Sequence, residues 1–262
     1  MSTTALIDGD IVVYSCGFAV ETPSFITPDG MIFAYIKQAK EHCKEYNLDP
    51  ELIEREVDCE PLSHCLNNVK TMLNDMIKQV GADDYKIYLT GTGNFRERIA
   101  TIRKYKDKRT IKPVYKEAII SYLKEHWDAE TVDGMEADDM LGIRQDWDTV
   151  ICTTDKDLNM VPGLHYNWLY KTLYNVSEAD GMYSFYYQLL IGDSTDNIQG
   201  VPGVGPKTAE KILNHLTTEE DMFWAALCEY EKAYDKPLEA LIENARLLWI
   251  LRDDADEWSP PV

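Results

Sequence analysis

Two short apolar runs each finish in carboxylates, and this pattern constrains the fold more than any other feature of the chain. Thr4-Ala5-Leu6-Ile7 leads into Asp8-Gly9-Asp10, and Thr149-Val150-Ile151-Cys152-Thr153 leads to Asp155 and Asp157. Such runs suit buried strands. Between them, Val69, Met72, Leu73, Met76, Ile77 and Val80 recur at helical spacing and Gly81 closes the helix. Tyr85-Lys86-Ile87-Tyr88-Leu89 reads as another strand, and Ile119, Ile120, Leu123 and Trp127 mark a further helix. Strands alternating with helices over residues 1–190 predict the α/β class, with a mostly parallel central sheet flanked by helices. Ligand sites in such sheets lie beyond the carboxyl ends of strands, at a switch in strand order, so Asp8 and Asp155 are expected to converge. After Gly192 the pattern changes to short helices.

Composition narrows the classes. The 262 residues carry 26 Lys and Arg against 46 Asp and Glu, a formal charge of −20. An apolar content of 45% excludes a disordered acidic tail. No apolar run approaches the roughly 18 residues a membrane span needs, and Asp8 stands where a secretory leader would need its apolar segment. Six cysteines without a Cys-x-x-Cys pair suit a reducing, cytoplasmic setting. The acidity argues at first sight against nucleic acid. The distribution argues otherwise, because residues 94–116 hold nine Lys or Arg and two acids, a local +7. Tyr105 and Tyr115 interleave that segment and offer faces for base stacking. A solvated helix face is the plain alternative.

Four acidic groups stand out by position: Asp8 with Asp10, Glu136 with Asp138 and Asp139, Asp155 with Asp157, and Asp193 with Asp196. Singly, each reads as helix capping. Gathered at one sheet edge they would repel and raise one another's pKa unless cations neutralised them. Oxygen-only ligands suit Mg²⁺ or Mn²⁺, and two such ions about 4 Å apart are apparatus for phosphodiester cleavage. His42-Cys43, Cys59 and His64-Cys65 match no standard zinc spacing, and no Gly-Lys-[Ser/Thr] follows Gly91-Thr92-Gly93 to make a phosphate loop.

The string Gly200-Val201-Pro202-Gly203-Val204-Gly205-Pro206-Lys207-Thr208-Ala209 combines three glycines with a proline suited to a first helical turn. Ala209, Ile212, Leu213 and Leu216 form that helix's apolar face, and its N-terminus with Lys207 suits an anion. A helix–loop–helix connector is the alternative.

In this ordered set the chain resembles the structure-specific 5′ nucleases: flap endonucleases, the 5′–3′ exonucleases of bacterial DNA polymerases, and their bacteriophage relatives. The resemblance runs from Asp8 to about Leu216. The phage enzymes look closest, through Tyr105-Lys106-Asp107-Lys108-Arg109 and the helix between the first two strands. It implies a PIN-like nuclease core over 1–190, with a basic arch at about 94–127. A helix–three-turn–helix DNA-binding lobe with acidic terminal helices would occupy 191–262. It implies that Asp8, Glu136, Asp138 and Asp155 hold a first Mg²⁺, and that Asp139, Asp157, Asp193 and Asp196 hold or orient a second. Lys106 and Arg109 would meet the scissile phosphate. Tyr14 would stack on the terminal base. Arg96, Arg103, Lys104, Tyr105, Gly203, Gly205, Lys207 and Thr208 would contact DNA, with K⁺ at the 200–207 turn. The implied substrate is DNA with 5′ ends, flaps or nicks, or an RNA–DNA hybrid, cut by a monomer in replication or repair.

One departure is visible: where many relatives carry a further metal-binding Asp, this chain reads Leu89-Thr90-Gly91-Thr92-Gly93. Asp10 or a water would have to compensate. A non-catalytic DNA-structure-binding protein and an RNA-cleaving PIN-type ribonuclease are the alternatives.

Overall fold

The computed structural model describes residues 2–107, 111–254 and 256–261. In chain order the elements are β1 (Thr4–Asp8), α1 (Gly9–Phe18), β2 (Glu21–Ile26), β3 (Ile32–Phe33), α2 (Ile36–Glu45), β4 (Glu54–Cys59) and α3 (Leu62–Val80). Next come β5 (Asp84–Thr90), α4 (Arg96–Ile99), α5 (Lys116–Trp127), β6 (Glu130–Val132), α6 (Ala137–Arg144) and β7 (Thr149–Cys152). A 3₁₀ turn (Asp157–Met160), β8 (Gly163–Asn167), β9 (Thr172–Val176), α7 (Glu178–Ile191), α8 (Pro206–Leu213), α9 (Glu219–Glu231) and α10 (Pro237–Leu248) complete the chain. No helix among the described residues is long and apolar enough to cross a membrane.

The chain divides into two compact units. The first takes Met1–Ile11, Leu73–Ile111 and Leu123–Val262. Its six-stranded sheet has the order β6-β5-β1-β7-β8-β9, parallel throughout except for β9 against β8. The expected class and strand directions are therefore observed. β1 is the switch point: the chain builds β5 and β6 on one side of it, then β7 and β8 on the other. In register, Asp8 lies opposite Tyr88 of β5, and Ile7 lies opposite Cys152 of β7. Both apolar runs are buried. They therefore deliver their acids to a common edge.

The expected boundary at residue 190 falls inside this unit. One buried cluster joins Leu6 and Ile151 of the sheet to Leu189 of α7, Leu213 of α8, Phe223 of α9 and Leu241 of α10. The terminal helices turn their apolar faces onto that core.

The second unit comprises Val12–Met72 and Lys112–Tyr122 and holds an antiparallel sheet of order β3-β2-β4. A turn at Pro28-Asp29-Gly30 joins β2 to β3, with the Thr27 hydroxyl donating to Asp29 at 2.5 Å and Gly30 at φ 85°. β2 and β4 escaped the sequence reading, since residues 54–59 are mostly charged and largely exposed. Within this unit the Val114 N–H donates to Glu21 at 2.6 Å and the Tyr115 hydroxyl to the Glu60 carbonyl at 3.0 Å, which binds the end of the basic segment.

Candidate metal and phosphate site

The site is assembled in the first unit from four chain segments. Asp8 ends β1 and is 2% exposed. Its carboxylate accepts from the Ile11 N–H at 3.0 Å and from the Thr153 hydroxyl at 2.9 Å, because parallel pairing with β7 places Thr153 just beyond its own strand end. Burial and then the neighbouring Asp10 charge, with Asp155 adding, raise the Asp8 carboxyl to about 7 against the two hydrogen bonds. Asp138, in the first turn of α6, is pushed well above the ordinary range by burial and by Asp8, Asp155 and Glu136, with Lys106 opposing.

The remaining acids follow β7 and α7. The Asp155 carboxylate accepts from the Asp157 N–H at 2.9 Å, and the Asp155 N–H donates to Thr153 at 3.0 Å. Burial, Asp155 and Asp193 raise Asp157 to about 7. Asp193 goes the other way. Burial would raise it, but the Thr195 and Asp196 N–H groups at 2.6 and 3.2 Å, together with Lys156, hold it below the usual value. Gln188 of α7 ties these acids together, its amide donating to Asp157 at 2.8 Å and to Asp193 at 3.3 Å. Nothing in the sequence reading marked Gln188; only the helical path from 188 to 193 brings it there.

Basic residues stand among the acids. Lys106 pairs with Glu136 and lies 3.5 Å from Asp196, and its own N–H donates to the Asp196 carbonyl at 3.0 Å. Its φ of 52° is the left-handed backbone that lets the side chain return over the loop it is tied to. Asn197 donates to the Lys104 carbonyl at 2.9 Å. Glu243 of α10 accepts from the Thr101 and Ile102 N–H groups, each at 2.7 Å. The segment is thus fastened from 101 to 106. Lys104 and Arg103 are exposed, and Lys104 pairs with Asp107 at 3.0 Å. Arg109 and its neighbours Lys108 and Thr110 lie outside the described residues.

Three residues stand in surroundings unlike those their expected roles call for. Asp139 is fully buried and saturated. Arg96 grips it bidentately at 2.6 and 2.8 Å, and the Glu136 and Leu251 N–H groups donate to it at 2.9 and 3.1 Å. Both of its oxygens are occupied in holding the fold. Arg96, 2% exposed, also donates to the Leu247 and Trp249 carbonyls, so it does not face DNA. Tyr105 is 7% exposed, and its hydroxyl, with a single proton to donate, lies 2.8 Å from the Asp196 carboxylate and 3.0 Å from that of Glu136. Burial and these acids keep it a neutral donor. It bridges two carboxylates and is not a stacking platform.

The acid missing at Gly91 has a steric reason. A Cβ there would sit 2.3 Å from Asp133 and 2.6 Å from the Val132 carbonyl. Asp10 brings a carboxylate to the same strand end, accepting from the Thr90 N–H at 3.2 Å. Around the 200–207 turn, Gly200 is required internally, since at φ 58° its missing Cβ would lie 2.3 Å from the Gly192 nitrogen. Gly203 and Gly205 face open space, and Lys207 and Thr208 are exposed at the start of α8. Tyr14 belongs to the second unit, where its ring lies 5.9 Å from Phe18 with the Lys116 ammonium 5.7 Å away.

Among the described residues no group of three or more His, Cys, Asp or Glu is arranged to hold a metal ion as it stands. The donor set nonetheless has the chemistry of a hard divalent site: oxygen ligands only, with Asp8, Asp138 and Asp157 raised first by burial and then by neighbouring carboxylates, a cost that a cation would relieve.

Comparison with known proteins finds the chain similar to 5′ nucleases and to the DNA polymerase I family. Residues 184–253 match the family described as 5′-3′ exonuclease, C-terminal SAM fold. A DNA polymerase I of Caldicellulosiruptor bescii is 31% identical over 145 residues, 45% of this chain and 17% of that one. The flap endonuclease Xni of Shewanella piezotolerans is 30% identical over 148 residues, 51% of this chain and 58% of that one. The chain therefore spans less than two thirds of the length of these curated relatives. Among solved structures, a bacteriophage T5 flap endonuclease in a pseudo-enzyme–product complex with DNA and metal ions superposes with TM-score 0.58 at 16% identity, covering 94% of this chain and 88% of that one. T5 5′-exonuclease with bound zinc gives TM-score 0.56 at 16% identity, covering 94% and 89%.

Proposed function

We propose that this chain, a relative of the flap endonucleases and 5′–3′ exonucleases, hydrolyses phosphodiester bonds at 5′ ends or flaps of DNA with divalent metal. The observation that carries the proposal is the meeting of Asp8, Asp138, Asp155 and Asp157 at the switch point of the sheet, with Lys106 set into the same group. Acids that repel one another at the end of a strand serve no packing purpose, and their chemistry is that of Mg²⁺ or Mn²⁺ ligands. Asp8, Glu136, Asp138 and Asp155 would hold one ion, and Asp157, Asp193 and Asp196 a second. Such ions, when bound, supply an activated water and stabilise the departing oxygen.

The chain's own groups do the rest. Lys106 sits on Glu136 and beside Asp196, where it can turn to a phosphate oxygen and meet the charge that develops there. Gln188 and Thr153 fix the acids they touch. Arg103, Lys104, Lys207 and Thr208 are exposed and take the backbone of the duplex, reading shape and not sequence. Gly203 and Gly205 leave room for that backbone and for K⁺ held by carbonyls of the turn. A cytoplasmic monomer acting in replication or repair fits this reading, with an RNA–DNA hybrid as a further substrate.

The test is cleavage of 5′-labelled flap, nicked and blunt DNA with Mg²⁺, with Mn²⁺ or with chelator, beside a matched RNA. Metal-dependent release of short 5′ products is the expected result. Binding without cleavage at every metal concentration would make this a DNA-structure-binding protein, and preference for RNA a ribonuclease.

A further inference from the structure

Beside the carboxylates, on the α8 side, the first unit contains a cavity of about 260 Å³ that the proposed reaction does not yet use. Tyr183 and Tyr187, one turn apart on α7, line it with rings that stack at 6.1 Å and 19°. Both rings are half-buried against the core, so their orientation is set by packing. Apart from Ile191, the rest of the lining is polar and unevenly charged. Lys156, with a side chain 68% exposed, and Asp157 come from the 3₁₀ turn and its cap, and Glu210 comes from α8. An aromatic wall with a few polar groups is the usual make-up of a small-ligand pocket. What selects the ligand here is the position of Asp157, which lines this cavity and belongs to the proposed metal site.

We infer that this cavity receives one nucleobase of the DNA strand, from a nucleotide adjacent to the scissile phosphate, stacked on the Tyr183–Tyr187 pair. The inference rests on the nuclease reading and adds a base-binding subsite to it. Charge gives the nucleotide a direction. Its phosphate lies at the Lys156 end, next to the metal ligands, and its base points toward Glu210, which would repel a phosphate. Stacking on tyrosine is indifferent to sequence, as recognition of strand ends requires. Gln188, already committed to Asp157 and Asp193, forms the shared wall, so a base seated here presses on the groups that hold the metal ligands.

The test is a cycle between protein and substrate. A fluorescent 5′-flap DNA is made with one residue at a time, on either side of the cleavage point, replaced by an abasic residue, and binding is read by anisotropy in chelator. For the wild-type chain, one abasic position should weaken binding about tenfold, the usual worth of one stacked base. Tyr187→Ala should weaken intact DNA by a similar factor and lose nothing more with that abasic DNA, while Tyr187→Phe behaves as wild type. Tyr187→Leu keeps apolar packing without a flat ring and should match Tyr187→Ala, which separates stacking from misfolding. Equal losses on intact and abasic DNA at every position, or no loss at all, overturn the subsite. Wild-type cleavage in Mg²⁺ is run alongside. If cleavage occurs and no position couples to Tyr187, the subsite fails and the nuclease reading stands. If the wild type neither cuts nor binds DNA, both fall.

Discussion

Asp138 and Asp139 are neighbours in the first turn of one helix, and they have opposite surroundings. Asp139 is sealed from water, with every lone-pair direction met by Arg96 or by backbone N–H groups. Asp138 faces Asp8, Asp155 and Glu136 with Lys106 as its counter-charge, and its carboxyl is driven upward. Adjacent positions on a helix point about 100° apart, so one looks into the core and the other along the sheet edge. The difference shows that acids in such a cluster are sorted by what they face. A satisfied carboxylate holds the fold; a repelled one waits for a cation.

The largest effect expected from this contrast is on stability. Asp139→Ala leaves the Arg96 guanidinium buried without its partner, which costs about 3–5 kcal/mol. Urea denaturation of the metal-free protein measures it, and Arg96→Met with Asp139→Leu should recover most of the loss, since an apolar pair needs no counter-charge. A stable Asp139→Ala protein that fails only to bind Mg²⁺ would erase the distinction between the two acids. Asp138→Asn is the matching change on the other side. It removes a repelled charge, so the metal-free protein should be no less stable, while cleavage falls about a thousandfold, ~4 kcal/mol of barrier. Calorimetric titration with Mn²⁺ should show weakened binding in the same variant.

Much of this was readable before the fold was known, though unevenly. Strand ends carrying Asp8 and Asp155, the helix opened by Glu136, and the glycine turn at 200–207 are local signals, because backbone direction and spacing place them. Partners distant in sequence left no such signal. Arg96 reads as one more cation in a basic run, yet it closes onto Asp139 and onto the carbonyls at Leu247 and Trp249, about 150 positions away. Tyr105 likewise reads as a stacking residue until the loop at Asp196 covers it. The strand at 54–59 was hidden because its exposed, charged residues show no apolar alternation, and the one at 21–26 because Pro23 interrupts a half-buried run that does not alternate. The basic segment is visible in the sequence as a charge pattern, whereas the burial of Arg96 and Tyr105 within it is not.

The repelled half of the cluster also predicts a pH response in the metal-free protein. Asp8 and Asp157 rise from 3.8 to about 7 on folding, so the folded state holds protons that the unfolded chain has released. Stability is then full below about pH 4 as far as these groups are concerned, and it falls as pH rises toward 7. Denaturation midpoints in chelator should decline across that window, and saturating Mg²⁺ should restore most above pH 6, where protons no longer compete for the ligands. A flat profile would mean that Lys106 and Lys156 already cancel the repulsion. Lys106→Ala probes that cancellation directly. Turnover should drop about a hundredfold, as for loss of one preorganised donor, with little change in DNA affinity.

Lys207→Ala carries the smallest effect and tests whether the contrast extends to the surface proposed to take DNA. Lys207 is exposed in the first turn of α8, where Pro206 has no N–H and the Thr208 and Ala209 N–H groups donate to the Gly205 carbonyl at 3.0 Å, so the Lys207 N–H and the helix dipole are what that end offers an anion. A phosphate bound there would rest mainly on the lysine ammonium, and removing the lysine deletes one ion pair without disturbing the core. Affinity for a 5′-flap duplex should fall by a few-fold at low salt, and the dependence of log K on log salt should flatten by about one ion. Turnover at saturating DNA should stay at the wild-type level, since nothing in the carboxylate cluster touches this side chain. A changed turnover with an unchanged salt slope would move Lys207 from the duplex to the reacting phosphate, and the division between binding surface and chemistry would have to be redrawn there.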